Sequence, residues 1–228
     1  MTAPRRPGDQ APTVRSPFVD WPDELELVLA SRSPRRAELL ATAGVPFVCE
    51  PAGDIETDRA RELLAAGTEP GQYACALALA KATDVADRRP GRLVLGADTI
   101  VLLDGDILEK PVDAADAARL LGRLSGRRHT VISALALVGG AAGRPGVAEY
   151  ESTEVEFLTL DQKAIERYIG TNEPMDKAGA YGIQGYGALM VRGVNGCYFN
   201  VMGLPLARLG NMLRSILDPA VVNRNRKP

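Results

Sequence analysis

Apolar and polar positions along the chain fall into short blocks of alternating period, which predicts strands and helices following one another. Leu25 to Ala30 is a mostly apolar run suited to a buried strand. Ser33-Pro34 then reads as an N-cap with proline at the first helical position, so a helix starts at Pro34. Its apolar residues Ala37, Leu39, Leu40 and Ala43 lie on or near one face, and Gly44 ends it. Val45 to Glu50 is a second short strand, and Gly71 to Arg88 is a helix whose alanine-rich run contains Lys81. The strongest strand is Leu93 to Leu103, followed by an Asp104-Gly105 hairpin turn and a return strand reaching Glu109-Lys110-Pro111.

Asp113 caps a helix through Leu124, with Ala117, Leu120, Leu121 and Leu124 on its apolar side. Arg128 to Val138 and Tyr150 to Leu160 read as strands separated by a Gly/Ala-rich loop. The second alternates Thr153, Val155 and Phe157 with Glu154 and Glu156, as a half-exposed strand does. Asp161 to Tyr168 is helical, Asn195-Gly196 signals a hairpin, and Leu204 to Leu217 is an amphipathic helix with Leu206, Leu209, Leu213 and Leu217 inward. This order predicts an α/β protein.

At 228 residues the chain is long enough for one large domain or two small lobes. Residues 1–22 are rich in Pro, Arg and Asp and weakly periodic, so they read as a flexible N-terminal extension, and residues 218–228 as a frayed tail. Hydrophobic content of 46% and charged content of 25% are those of an ordinary globular protein. A net charge of -2 and a pI of about 5.6 argue against polymeric nucleic acid or a membrane surface as partner. Cys49, Cys75 and Cys197 lack disulfide or zinc spacing, which fits a reducing cytoplasm. His129 is the single histidine, so any serine- or cysteine-histidine mechanism rests on it alone.

Several residues disturb the structural pattern. Arg35 and Arg36 place cations in a first helical turn, against the helix dipole, by about 0.3–1 kcal/mol each. With the hydroxyls of Ser31 and Ser33 and free backbone N–H groups they form a receptor for a polyphosphate; the alternative is a solvated turn paired with surface acids. Asp54, Glu56 and Asp58 are either a divalent-metal site or a solvated loop. Lys81 either snorkels to solvent or points at a phosphate. Asp98, in the middle of the strongest strand, requires a cation, a metal or a cleft, and Gly96 beside it permits close approach. The segment Asp176 to Gly187 is too glycine-rich for a helix and lacks P-loop or Rossmann spacing, so it reads as a binding loop, with Gln184 able to hydrogen-bond a base edge.

The blocks Leu29-Ala-Ser-Arg-Ser-Pro-Arg-Arg-Ala-Glu-Leu-Leu40, Gly96-Ala-Asp-Thr-Ile-Val101, Glu109-Lys-Pro111, Leu124-Ser-Gly126, Asp176-Lys-Ala-Gly-Ala-Tyr-Gly-Ile-Gln-Gly185 and Gly203-Leu-Pro-Leu206, in this order, closely resemble the Maf family of nucleoside triphosphate pyrophosphatases. The resemblance runs from about Leu25 to Leu209. It implies an elongated, two-lobed α/β fold related to inosine triphosphatases. A central mixed, twisted sheet is flanked by helices, with one catalytic domain over 23–217 around a cleft, often as a homodimer. It implies hydrolysis of a nucleoside triphosphate to the monophosphate and pyrophosphate with a divalent cation, Mg²⁺ or Mn²⁺. Asp98 matches the catalytic proton acceptor. Arg36, Thr99 and Gln184 match specificity positions, and Ser31, Arg35, Lys81 and Lys110 match polar and basic cleft positions. Asp98 with Glu56 is the metal set so implied. Thr57 stands where family members often carry the second of two adjacent acids, with Asp58 next. The Tyr-Gly-Ile-Gln-Gly form of the loop is similar to that of the branch acting on dTTP and UTP. The rival readings are a pyrophosphatase for deaminated purine triphosphates and a non-catalytic, nucleotide-sensing regulator of cell division.

Overall fold

A computed structural model describes residues 15–23, 25–53, 67–140 and 146–217. Seven strands form one mixed sheet in the order β2-β1-β3-β5-β6-β7, with β4 on a separate stretch of β3. They are β1 (Leu27–Leu29), β2 (Phe47–Cys49), β3 (Leu93–Leu103), β4 (Asp106–Leu108), β5 (Arg128–Gly139), β6 (Val147–Phe157) and β7 (Val191–Asn195). The helices are α1 (Pro34–Thr42), α2 (Pro70–Arg88), α3 (Ala114–Leu124), α4 (Gln162–Ile169), α5 (Tyr198–Val201) and α6 (Leu206–Leu217). The α/β architecture, with its mixed central sheet and flanking helices, is the one expected.

Short β1 is parallel to both β2 and β3, whereas β3, β5, β6 and β7 run antiparallel in succession. Alternation along β3 sorts its residues between two faces. Leu93, Leu95 and Ala97 enter one apolar cluster with α1 and α6, and Val101 and Leu103 enter a second with α3 and α4. On the opposite face Val94 and Ile100 pack under α2. Gly96 allows that helix to lie close: a Cβ there would stand 2.1 Å from the carbonyl oxygen of Ala78 and 2.9 Å from Ala82.

The same strand contains a gap. On one edge β1 covers Leu93–Leu95 and β4 covers Val101–Leu103, so residues 96–100 have no strand beside them there. The Asp104-Gly105 turn that returns β4 has both residues at positive φ, 54° and 88°, as a tight hairpin requires. The interval it leaves open is where the cleft forms.

Some expectations are corrected. Asn195-Gly196 does not make a hairpin. β7 is the sheet's last strand, and Gly196, at φ 128°, turns the chain into α5, pressed so close to Thr153 that a Cβ would meet its hydroxyl at 2.9 Å. β6 begins at Val147 rather than Tyr150, because it pairs with β5 as far as Leu137. Within the N-terminal stretch expected to be flexible, Val19 is buried in the first cluster, Trp21 packs against it, and the Trp21 indole N–H donates to the Leu25 carbonyl at 2.6 Å. An isolated apolar pair in a Pro- and Arg-rich stretch gives too little periodicity to reveal that docking.

Candidate active site

A cleft of about 760 Å³ lies over the gap in β3. It is bounded by the β1–α1 turn, by α2, by Glu109 and Lys110 after β4, and by the glycine-rich segment. Ser31, Arg35, Arg36, Lys81, Asp98, Thr99, Lys110 and Gln184 all line it. Glu56 lies outside the described residues, as do Asp54, Thr57 and Asp58.

Asp98 is buried, and its carboxylate Oδ1 accepts a hydrogen bond from Lys81 Nζ at 2.6 Å. The side chains are 13% exposed for Lys81 and 7% for Asp98, so a full charge pair is held largely out of water. Lys81 therefore does not simply snorkel to solvent. It supplies the cation that the mid-strand acid needs, on the wall of a cleft.

Arg36 resolves its conflict with the helix dipole through the chain's own oxygens. Its Nε donates to the Gly203 carbonyl at 2.9 Å, Nη1 to the Ala97 carbonyl at 3.0 Å and to Ser31 Oγ at 3.2 Å, and Nη2 to Thr99 Oγ1 at 3.1 Å. The Ala97 carbonyl belongs to the uncovered stretch of β3, so a guanidinium takes the place of a missing strand neighbour. Ser33 stands at the N-cap with extended backbone but makes no side-chain capping bond. Ser31 Oγ instead accepts from the Ser33 N–H at 3.1 Å.

Thr99 Oγ1 and Ser133 Oγ are 2.8 Å apart. Because Ser133 Oγ donates to the Asn200 carbonyl at 2.7 Å, the Thr99 hydroxyl is the donor between them while accepting from Arg36. Asn200, fully buried, binds the Ser133 N–H through Oδ1 and donates to the Val131 carbonyl and Thr153 Oγ1. The cleft floor is thus tied through β5 to β6 by a buried polar chain. Ser133, Thr153 and Asn200 are participants that sequence reasoning missed, since isolated polar residues in apolar strands were its single trace.

At the mouth, Arg35 Nη1 faces Asp176 Oδ2 at 3.3 Å, while Asp176 Oδ1 accepts from Lys177 at 2.6 Å. Partial burial pushes the Asp176 carboxyl upward, but the Lys177 hydrogen bond and the charges of Arg35 and Lys177 outweigh it and hold it below the usual aspartate range. Lys110 and Gln184 are exposed and face the same space.

His129 is not in the cleft. Buried beside Phe157 and Tyr181, it shares a 2.8 Å hydrogen bond with the Tyr181 hydroxyl, and burial lowers its pKa to about 4. It is neutral at physiological pH and does not line the cleft.

Among the described residues no group of three histidine, cysteine or acidic side chains converges as a metal cage. The carboxylates that line the cleft among these residues are those of Asp98, Glu109 and Asp176. One or two carboxylates with substrate phosphate oxygens and waters suffice for Mg²⁺. No helix among these residues is long and apolar enough to cross a membrane.

The sequence is similar to proteins of known name over most of its length. It is 47% identical over 188 residues to a dTTP/UTP pyrophosphatase of Symbiobacterium thermophilum, covering 82% of this chain and 92% of the relative. It is 50% identical over 188 residues to a dTTP/UTP pyrophosphatase of Moorella thermoacetica, covering 82% and 93%. Among solved structures, a nucleoside-triphosphatase / dITP/XTP pyrophosphatase from Mycobacterium abscessus matches at 18% identity and a TM-score of 0.40, over 85% of this chain and 98% of that one. The family model described as Maf-like protein matches residues 26–216, which takes in every element of the sheet and every described residue of the cleft. The chain belongs to the Maf family.

Proposed function

We propose that this protein hydrolyses nucleoside triphosphates, with dTTP and UTP as its substrates, to the monophosphate and pyrophosphate. The observation that carries the reading is the desolvated Lys81–Asp98 pair at the interrupted edge of β3, where an acid faces a cleft ringed by cationic side chains. The curated relatives named for dTTP and UTP supply the substrate class.

In this reading Arg35 and Lys110 present positive charge to the triphosphate, and Lys81 fixes the orientation of the Asp98 carboxylate. Asp98 orients a water and takes its proton as the oxygen bonds to the α phosphorus. The bridging α–β bond breaks in line with the attack, and pyrophosphate leaves. No covalent enzyme intermediate is required. Arg36, with its hydrogen bonds to Ala97, Gly203, Ser31 and Thr99, shapes the floor. A divalent cation, Mg²⁺ or Mn²⁺, held by Asp98 and Glu56 would neutralise phosphate charge when bound. Gln184 reads the base, since its amide offers both donor and acceptor to the imide edge that thymine and uracil share.

The test is pyrophosphate release from a panel of pyrimidine and purine triphosphates, with and without Mg²⁺ or Mn²⁺, by the wild type and Gln184→Ala. Preferred, metal-dependent hydrolysis of dTTP and UTP, with the preference narrowed in Gln184→Ala, is the expected result. Preference for deaminated purines, or nucleotide binding without release, would replace this reading by one of its rivals.

A further inference from the structure

Two side chains outside the sequence-derived site grip the segment that presents Gln184. Glu173 Oε1 accepts from the Tyr168 hydroxyl at 2.8 Å and from the Gly187 N–H at 3.2 Å, and Oε2 accepts from the Tyr186 N–H at 2.9 Å. The Tyr168 oxygen accepts in turn from the Gly182 N–H at 3.1 Å. One end of the Gly182–Gly187 loop hangs on the tyrosine, the other on the carboxylate, and the two are bonded to each other. Between them Ile183 is buried in the second core cluster while the next residue, Gln184, is exposed to the cleft.

The glycines serve this grip. A Cβ on Gly185 would lie 2.2 Å from Glu173 Oε2, and one on Gly187 would lie 2.5 Å from the Gly182 carbonyl and 2.9 Å from the Tyr168 hydroxyl. None of these positions takes the left-handed backbone region, so close approach of the carboxylate and hydroxyl, rather than turn geometry, requires glycine. Burial pushes the Glu173 carboxyl upward, but the two backbone N–H groups and the Tyr168 hydroxyl prevail and hold it below the usual glutamate range, ionised as the clasp needs. Tyr168, desolvated, stays protonated.

We infer that Glu173 and Tyr168 are specificity-positioning residues: the Tyr168–Glu173 clasp sets the reach of Gln184 into the cleft and hence the choice of base. The inference rests on Gln184 reading the base. Neither clasp residue is needed to touch the nucleotide, so their effect passes through Gln184 and falls on base recognition more than on the chemistry around Asp98.

Tyr168→Phe keeps the buried ring and removes the hydroxyl; Glu173→Gln keeps the size and replaces an acceptor pair by a mixed donor and acceptor. Steady-state kinetics on dTTP, UTP and a purine triphosphate, for each variant alone and combined with Gln184→Ala, form the experiment. The expected result is a rise in KM for dTTP and UTP of about tenfold, the scale of one weakened hydrogen bond to the base. The kcat should change little, the purine reaction should be largely spared, and neither clasp substitution should narrow selectivity further once Gln184 is alanine. Thermal melts identify a variant that fails to fold, in which case the other clasp variant decides. If Gln184→Ala alone narrows selectivity while both folded clasp variants keep the wild-type preference, the clasp has no such role. Equal losses on every nucleotide, or losses that add fully to those of Gln184→Ala, likewise overturn it. If Gln184→Ala leaves selectivity unchanged, it is the base-reading role itself that fails.

Discussion

Removing the ammonium of Lys81 tests whether the cleft holds a coupled, desolvated charge pair. Lys81→Met keeps a long unbranched side chain and deletes the group 2.6 Å from Asp98 Oδ1, leaving a carboxylate whose side chain is 7% exposed. Breaking one side of a buried pair costs on the order of 3–5 kcal/mol, and because this pair borders an open cleft about 3 kcal/mol is expected. For a domain of this size that lowers Tm by roughly 6–12 °C. Asp98→Asn removes the opposite charge but keeps an oxygen that can accept from Lys81, so its cost is about 1 kcal/mol. In Lys81→Met/Asp98→Asn no charge is stranded, and the double variant should fall short of the summed losses by about 2 kcal/mol. Urea unfolding reads this through the fluorescence of Trp21, the chain's single tryptophan, which packs on the first core cluster. Additivity within about 0.5 kcal/mol would refute the pair as a coupled unit.

Two further outcomes follow from the packing. Gly96→Ala would force a Cβ to within 2.1 Å of the Ala78 carbonyl, so α2 must lift from β3 and carry Lys81 away from Asp98. A loss of stability of about 1–3 kcal/mol together with reduced turnover is expected, and a variant matching wild type in both thermal melt and rate would contradict the close packing. His129 titrates near 6.5 in the unfolded chain and about 4 in the fold, so the unfolded state binds the extra proton and stability falls as pH drops from about 6.5 to 4. That gap is worth up to about 3 kcal/mol, and His129→Gln should flatten this part of the stability curve. An unchanged slope in the variant would remove His129 as its source.

Much of the scaffold was legible because it depends on local rules. The bounds of β3, the Asp104-Gly105 turn and the Asp113 cap of α3 follow from apolar run length, positive-φ preference and N-cap chemistry. Asp98 stood out because an acid in an apolar strand demands a partner, and Lys81 proved to be that partner. What could not be read depends on groups distant in the chain. The Gly203 carbonyl that receives the Arg36 Nε is 167 residues away, and nothing near Arg36 announces that contact. Glu173 and Tyr168 look like ordinary residues at a helix end, and their hold on Gly182–Gly187 exists only after folding. Asn195-Gly196 satisfied a turn rule whose outcome was set instead by Thr153 and the sheet's edge.

The most direct test of the central claim is pyrophosphate release from dTTP and UTP by the wild type and by folded Asp98→Asn, each with Mg²⁺ or Mn²⁺. The account predicts release by the wild type and loss of about a hundredfold or more in the variant, as removal of a general base on this scale implies. A near-normal rate for Asp98→Asn would contradict Asp98 as the acid at the centre of the cleft, and no release from the wild type would contradict hydrolysis itself.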